Sequence, residues 1–285
     1  MFLACLSSFH PSLSVRAHEA PARAGHKEGE RTVDIETDFF AGRHGYLHTG
    51  VGVLVNLKDQ QRVGLTYHTV REQSGESFFP SLGAEYTRKF ADGLELELFS
   101  FGYFPVERQH AWAVGARAQK GFEVSEHLTL TPFFGPTWAK VRAYDEAADA
   151  ARDIEHVMLF GGLTFSFQPV EVSIFGSQSF FSRDPRGLET RVDLEEMTHF
   201  ASYENNDGFA RNSVGTEINL TATSWFGVSA RYAAVFFPDE PVLHSAGVVA
   251  RFAIGERFSI FAGPQWLRGG ARSNNLVAAG FSVSF

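Results

Sequence analysis

The chain has 285 residues, a formal net charge of −8 and a single cysteine, Cys5. The negative charge argues against a nucleic-acid partner, because binding to phosphates requires a stripe of Lys and Arg that this sequence lacks. One cysteine excludes a disulfide framework within the chain, and 29 Phe with 27 Gly is more than a water-soluble core needs.

The apolar stretches are too short for a membrane-spanning helix. The longest, such as Val157–Leu163, run for about seven residues, whereas a helix that crosses a bilayer needs about 20. The chain is therefore either soluble or crosses a membrane as a closed barrel.

The first 31 residues differ from the rest. Met1–Leu6 is apolar and Val15–Ala17 would suit a signal-peptidase site, although no Lys or Arg precedes the apolar stretch. Residues 18–31 are polar. We expect residues 1–31 to be an export signal, truncated at its start, followed by a polar leader; the alternative is a disordered leader of a soluble protein.

From Thr32 onward the hydrophobic period is two, which predicts strands. Most of them run for about 9–14 residues, which matches the 9–11 residues that a tilted strand needs to cross a bilayer. The predicted strands are 32–42, 46–57, 62–70, 78–90, 94–104, 110–124, 128–142, 154–167, 170–181, 209–221, 225–237, 242–254, 258–267 and 274–285.

The connections between these strands alternate in length. Short connections are predicted at 58–61, 91–93, 125–127, 168–169, 222–224 and 255–257. Longer ones are predicted at 71–76, 105–109, 143–153, 182–208, 238–241 and 268–273, and a tight connection at 43–45 is the exception. One rim of short turns and one rim of long loops is typical of outer-membrane barrels.

The strand faces agree with that reading. In 258–267, Phe258, Ile260, Ala262, Pro264 and Trp266 share one side. Aromatic residues bracket small aliphatic ones in the same way in 110–124 and 225–237. Such a face predicts an apolar band between two aromatic girdles.

The last strand ends the chain on the same pattern. Phe281, Val283 and Phe285 lie on its apolar side, and the opposite side carries Gly and Ser. This strand resembles the C-terminal assembly signal of Gram-negative outer-membrane β-barrel proteins. The resemblance implies insertion by the barrel-assembly machinery into the lipid of the outer membrane of a Gram-negative bacterium.

We therefore predict an all-β fold over residues 32–285: a single antiparallel transmembrane β-barrel of about 14 strands, or 12 if one hairpin is misread. A soluble β-sandwich is the alternative, but it would have to bury these outward aromatic side chains against partners.

The inward residues predict a lumen with two charged walls. The predicted acidic wall consists of Asp34, Glu36, Glu85, Glu95 and Glu97. The predicted basic wall consists of Arg117, Arg211, Arg231 and Arg251. Opposed charges would orient polar solutes in a pore and set its ion preference. Alternatively, the same groups meet across the axis and close the barrel.

The connection 182–208 is longer than a loop without a role normally is. Asp193, Glu195 and Glu196 would form a constriction if this segment folds into the barrel. The alternative is a solvated external loop.

The function that these features favour is a pore for the passive passage of small polar or charged solutes. A closed-lumen barrel that binds external partners through its loops is the alternative, and an outer-membrane lipid hydrolase fits less well. His244 points outward but has no outward Ser two residues away. We expect no enzyme activity, cofactor or metal, because the histidines show no ligand spacing. The oligomeric state stays open.

Replacing Phe285 with a charged residue should impair assembly, because the outward side of the last strand would then present a charge to lipid. The measurement is the heat-modifiable electrophoretic mobility of the protein recovered from outer membranes. A normal folded barrel in that fraction would contradict the assigned role of the C-terminal strand.

Overall fold

The structure is a computed structural model that describes residues 32–42, 46–57, 60–71, 78–106, 109–145, 148–189, 209–238, 240–269 and 273–285. The predicted leader, residues 1–31, lies outside these ranges. Within them, no helix is long and apolar enough to cross a membrane.

Sixteen strands make up the regular structure of the described residues. They are β1 (Thr32–Gly42), β2 (Leu47–Asn56), β3 (Gln61–Arg71), β4 (Phe78–Lys89), β5 (Leu94–Val106), β6 (Gln109–Lys120), β7 (Phe122–Ser125), β8 (Leu128–Asp145), β9 (Ala150–Phe167), β10 (Val170–Phe181), β11 (Leu188–Glu189), β12 (Asn212–Thr221), β13 (Phe226–Phe236), β14 (Leu243–Ile254), β15 (Phe258–Arg268) and β16 (Asn274–Ser284).

All strand pairs are antiparallel, and they form one closed ring. Successive barrel strands pair with each other, including β6 with β8 and β10 with β12, and β1 pairs with β16 so that neither edge stays open. The backbone of Phe285 completes this closure: its N–H donates to the Val33 carbonyl at 2.9 Å, and its carbonyl accepts from the Val33 N–H at 3.2 Å.

Two of the sixteen strands do not add a position to the ring. β6 and β7 pair with the same side of β8 in one continuous register, so they are two parts of one barrel strand. β11 has two residues and pairs with Tyr144 and Asp145 at the end of β8, outside the ring. The barrel therefore has 14 positions, as predicted, and the 12-stranded alternative is wrong.

The hairpin of β8 and β9 is longer than predicted. Each strand has 18 residues, and pairing continues to Asp145 and Ala150. Most of the predicted connection 143–153 is therefore strand. The connection predicted at 105–109 is likewise shorter, since β5 extends to Val106. In both segments the side chains alternate between the two faces and the strand pairing continues, although their polar composition predicts a loop.

The two rims of the barrel differ less than predicted, because β5 and β6 are separated by two residues and β8 and β9 by four on the rim that was expected to carry long loops. The short-turn rim carries the chain ends of the barrel, Thr32 and Phe285, and the connections 57–60, 90–93, 126–127, 168–169, 222–225 and 255–257. Gly93 and Gly255 have φ of 81° and 67° in two of these turns, a region that favours glycine. The long-loop rim is the opposite end of the strands.

The outer face of the barrel is apolar. Large side chains such as Leu65, Leu98 and Ile174 are more than half exposed on it. Trp112 and Trp138 pack edge to face, with ring centroids 4.6 Å apart, near the long-loop rim. A surface of this kind suits hydrocarbon, because single apolar side chains are common on soluble proteins but a continuous band is not.

The inner face has a row of phenylalanine rings that lie along the wall rather than toward the barrel axis. Each ring covers a glycine directly opposite it on a neighbouring strand, where an added Cβ would approach ring atoms to within 2.3–2.6 Å. The pairs are Phe99 with Gly115, Phe160 with Gly135, Phe133 with Gly162, Phe175 with Gly215, and Phe261 with Gly280. Such aromatic cover compensates for the missing glycine side chain and fixes the register.

Replacing Gly135 with Ala should destabilise the barrel by about 1–3 kcal/mol, the range for overpacking a tight site. The added Cβ would lie 2.1 Å from the Ala116 carbonyl oxygen and 2.5 Å from Phe160 Cζ. Equilibrium unfolding of the refolded barrel in urea measures this change.

The matched control is Gly247→Ala, whose Cβ meets nothing closer than 3.6 Å. This variant should stay within about 0.5 kcal/mol of the parent. Equal effects of the two substitutions would contradict the packing argument.

Candidate functional site

The inward side chains change in character along the barrel axis and form three tiers. The charged tier lies toward the short-turn rim and comprises Asp34, Glu36, Arg62, Glu85, Glu95, Glu97, Arg117, Glu171, Glu217, Arg231 and Arg251. The phenylalanine tier lies at mid-height and comprises Phe99, Phe133, Phe160, Phe175 and Phe261. The apolar tier lies toward the long-loop rim and includes Ala111, Ala113, Ala139, Val141, Ala143, Ile154, Ala233, Val235, Leu243, Leu267, Leu276 and Ala278.

The acidic residues of β4 and β5 contact partners on adjacent strands. Glu97 forms an ion pair with Arg117, whose Nη2 lies 2.8 Å from Oε2, and both side chains are less than a tenth exposed. Glu85 lies 3.6 Å from Arg62 Nε. A third carboxylate, Glu95, accepts a hydrogen bond from the Gln119 amide at 2.9 Å.

Two predicted basic residues lie among acids on the other side of the ring. Arg231 on β13 stands directly opposite Glu217 on β12. Its guanidinium carbon is 5.5 Å from the centre of the Phe175 ring, so it connects the charged tier with the phenylalanine tier. Arg251 on β14 interacts electrostatically with Glu36 and Glu217.

The remaining charged residues of the two predicted walls are more dispersed. Asp34 accepts a hydrogen bond from the Asn56 amide at 2.9 Å. Arg211 lies just before β12 at the long-loop rim, where its carbonyl accepts from the Ser179 N–H. It is exposed and lies six residues before Glu217, the residue that stands opposite Arg231.

The structure thus brings Arg117 of the predicted basic wall next to Glu97 of the predicted acidic wall, on neighbouring strands rather than across the axis. It also separates Arg211 from the other arginines. Each strong pair satisfies a buried charge locally, which a lone charge in the wall could not do. The effect of the two walls on a solute stays a prediction.

The apolar tier is covered. Ala139, Val141, Ile154, Val235 and Leu243 have no exposed surface, although they belong to the inner wall of a wide barrel. Its side chains belong to two apolar clusters, one that includes Val235 and Leu243 and a second that includes Ala139, Val141 and Ile154. The inward charges of the sequence did not predict this tier. The signal was present as alternating small aliphatic residues in the halves of the strands that approach the long-loop rim.

The long connection between β10 and β12 packs on the cluster of Ala139, Val141 and Ile154 at both of its described ends. Phe209 is buried in it and meets Phe181 edge to face at 5.7 Å, and Leu188 packs against it from the other end. Asp193, Glu195 and Glu196 lie outside the described residues, so the constriction stays a prediction.

One group of metal-ligating side chains comes together inside the barrel. Asp38, His48 and His68 lie on β1, β2 and β3, and one donor atom of each falls within 4.8 Å of the others. The sequence does not predict this group, because its members lie on three different strands, where spacing along the chain carries no ligand pattern.

The residues of the predicted assembly signal and His244 face the side of the barrel that strand alternation predicts. Phe281 and Phe285 face outward and are 41% and 63% exposed, and Val283 shares their side. His244 also faces outward, and its Nδ1 is hydrogen-bonded to the Tyr232 hydroxyl at 2.8 Å.

Comparison with known proteins identifies the fold but no family. No family model matches the chain, and no curated protein matches it. Solved structures do match over nearly the whole chain at low identity.

OccAB1 of Acinetobacter baumannii is 9% identical, with a TM-score of 0.54, and the match covers 92% of this chain and 98% of that one. The CymD monoaromatic hydrocarbon channel is 8% identical, with a TM-score of 0.53 and coverage of 96% and 92%. A mutant of the TodX monoaromatic hydrocarbon channel is 10% identical, with a TM-score of 0.50 and coverage of 95% and 93%. At such identities the likeness establishes a shared closed β-barrel fold and nothing finer.

Replacing Glu97 with Gln should destabilise the barrel by about 3–5 kcal/mol, because it leaves the Arg117 guanidinium buried without its counter-ion. The double variant Glu97→Gln/Arg117→Gln should recover most of the loss. Urea unfolding of the four members of this cycle measures the coupling.

The control pair is Lys140 with Asp153, which are 3.2 Å apart and more than 40% exposed. Its disruption should cost at most about 1 kcal/mol. If the buried and exposed pairs gave the same coupling, the buried pair would not be a structural element of the lumen.

Proposed function

We propose that this protein is a channel of a Gram-negative outer membrane that passes small solutes passively through the barrel lumen. No catalytic step and no cofactor is part of this proposal. The lumen is the functional part, and the outer face is the lipid contact.

The observation that carries the proposal is the inversion of polarity across one wall. Side chains on the outer face are apolar, while the inner face carries Glu, Asp and Arg near the short-turn rim. A water-soluble barrel would expose this apolar outer face to water, whereas a pore in lipid needs an apolar outer face and a polar lumen.

The size of the ring supports the same conclusion. Fourteen strands about 4.8 Å apart and tilted by about 40° enclose roughly 28 Å between opposite backbones. Side chains fill an eight-stranded barrel but leave a channel in one of sixteen strands, so a ring of fourteen has room for a small solute.

The named functions of similar structures are also channel functions. CymD and TodX are monoaromatic hydrocarbon channels by name. Their fold likeness supports a channel here but not their solute, because the identities are 10% or less.

The charged tier favours polar or charged solutes at the short-turn end of the path. Paired carboxylates and guanidinium groups present both signs of charge, which attract and orient a polar molecule. Such a solute would also have to pass the flat aromatic faces of the phenylalanine tier.

A closed barrel that binds partners through its loops is the second candidate. The covered apolar tier favours it, since wall residues such as Ala139, Val141 and Leu243 have no exposed surface. In a channel, the same cover would have to move or be displaced for a solute to enter.

Single-channel conductance of the refolded full-length protein in a planar bilayer separates the two candidates. Steady current steps support a channel. A barrel that is folded by its heat-modifiable mobility but gives no steps, and no uptake of small solutes into liposomes, would support the closed barrel.

For a conducting barrel, replacing Arg231 and Arg251 together with Gln should shift the selectivity toward cations, because two positive charges leave the charged tier. The reversal potential in a salt gradient measures this. Lys140→Gln, on the outer face, is the control and should leave it unchanged. An unaltered potential in the double variant would place the two arginines outside the conduction path.

A further inference from the structure

The cluster of Asp38, His48 and His68 is built across three neighbouring strands. In the ladder, Gly50 on β2 stands directly opposite both Asp38 on β1 and His68 on β3. His48 lies two residues from Gly50 on the same face. The three side chains therefore surround a glycine on the inner wall.

The glycine provides the space for the carboxylate. A Cβ at position 50 would lie 2.4 Å from Asp38 Oδ2 and 2.6 Å from Oδ1. The carboxylate thus occupies the volume that a side chain at position 50 would fill, which holds it beside the two imidazole rings.

Two of the three separations between donor atoms are those of ligands of one ion, and all three atoms lie within 4.8 Å of one another. His48 Nε2 is 3.2 Å from His68 Nδ1 and 3.3 Å from Asp38 Oδ1. Tetrahedral Zn²⁺ with bonds of about 2.0–2.1 Å separates its ligand atoms by about 3.4 Å. Both distances match an edge of such a tetrahedron.

A single proton at His48 Nε2 cannot serve both neighbours of that atom. His48 Nε2 has a single in-plane position, which holds either one proton or one lone pair. If Nε2 carries a proton and donates it to Asp38, it cannot also donate to His68. If Nε2 carries a lone pair and accepts from His68, that lone pair also faces the Asp38 carboxylate. A cation accepts lone pairs from all three atoms at once.

The surroundings favour a bound ion of the kind that imidazole prefers. His48 and His68 are 2% exposed and Asp38 is 8% exposed. The rings of Phe40 and Phe101 pack on the two histidines, with centroids 5.4 and 6.3 Å away. A low-dielectric site strengthens the attraction between a carboxylate and a cation, and two nitrogen ligands select transition metals over Mg²⁺ or Ca²⁺.

We propose that Asp38, His48 and His68 bind one divalent transition-metal ion, such as Zn²⁺, in the inner wall of the barrel. Three protein ligands leave a fourth coordination position for water or another small ligand.

The test is a titration of the refolded, full-length barrel with Co²⁺, followed by its visible absorption, and with Zn²⁺, followed by calorimetry. The parent should bind one ion with the absorption of a four-coordinate nitrogen–oxygen site. His48→Gln and His68→Gln should each weaken binding at least tenfold, and the double variant should abolish it.

His156→Gln is the matched control, because His156 is also a buried, inward histidine, stacked on Phe181 with centroids 4.9 Å apart. It should bind metal as the parent does. Gly50→Ala should lose binding although all three ligands remain, and the heat-modifiable mobility of each variant shows that it is folded.

Two results would overturn the proposal: no stoichiometric binding by the folded parent, or binding that persists in the double variant, as a site at His18 and His26 of the leader would give. These readouts do not depend on conduction. A conducting barrel that binds no metal removes only this inference, and a silent barrel that binds metal removes only the proposed channel.

Discussion

The pairing of β1 with β16 is the constraint on which the rest of the structure depends. In hydrocarbon there is no water to satisfy an open sheet edge, and each unsatisfied backbone group costs several kcal/mol. The hydrogen bonds between Val33 and Phe285 complete the last edge of the ring. Once the ring is closed, every strand has one face toward the outside and one toward the lumen, and the period of two decides which side chain goes where.

Closure also places opposite demands on neighbouring residues. In the proposed membrane channel, outward positions need apolar side chains of almost any shape, because lipid adapts to them. Inward positions must fit each other around a curved wall of fixed circumference. The phenylalanine tier meets this demand by laying each ring over a glycine such as Gly115 or Gly215, so that bulk on one strand fills a gap on the next.

The charges of the lumen are held by the wall itself. Glu97 with Arg117 and Glu85 with Arg62 are contacts between adjacent strands, so part of the charge in this tier is balanced within the wall. A solute in this tier would meet both signs of charge at short range rather than a uniform field. The proposed metal site is also held by the wall, because Gly50 on β2 leaves the space in which the Asp38 carboxylate lies beside His48.

The sequence by itself predicted about 14 strands, with 12 as the alternative, most of their boundaries to within a few residues, and the side on which the singled-out residues lie. These features depend on local alternation, which β16 shows clearly with Phe281 and Phe285 on one side and Ser282 and Ser284 on the other. Tertiary structure alone decided which inward residues meet. A predicted turn leaves the offset between two strands uncertain by a residue or two, and that offset decides whether His68 stands opposite Gly50 and whether Arg117 stands opposite Glu97. Contacts across several strands depend on all the intervening offsets together, which is why the covered apolar tier and the group of Asp38, His48 and His68 emerged only from the folded barrel.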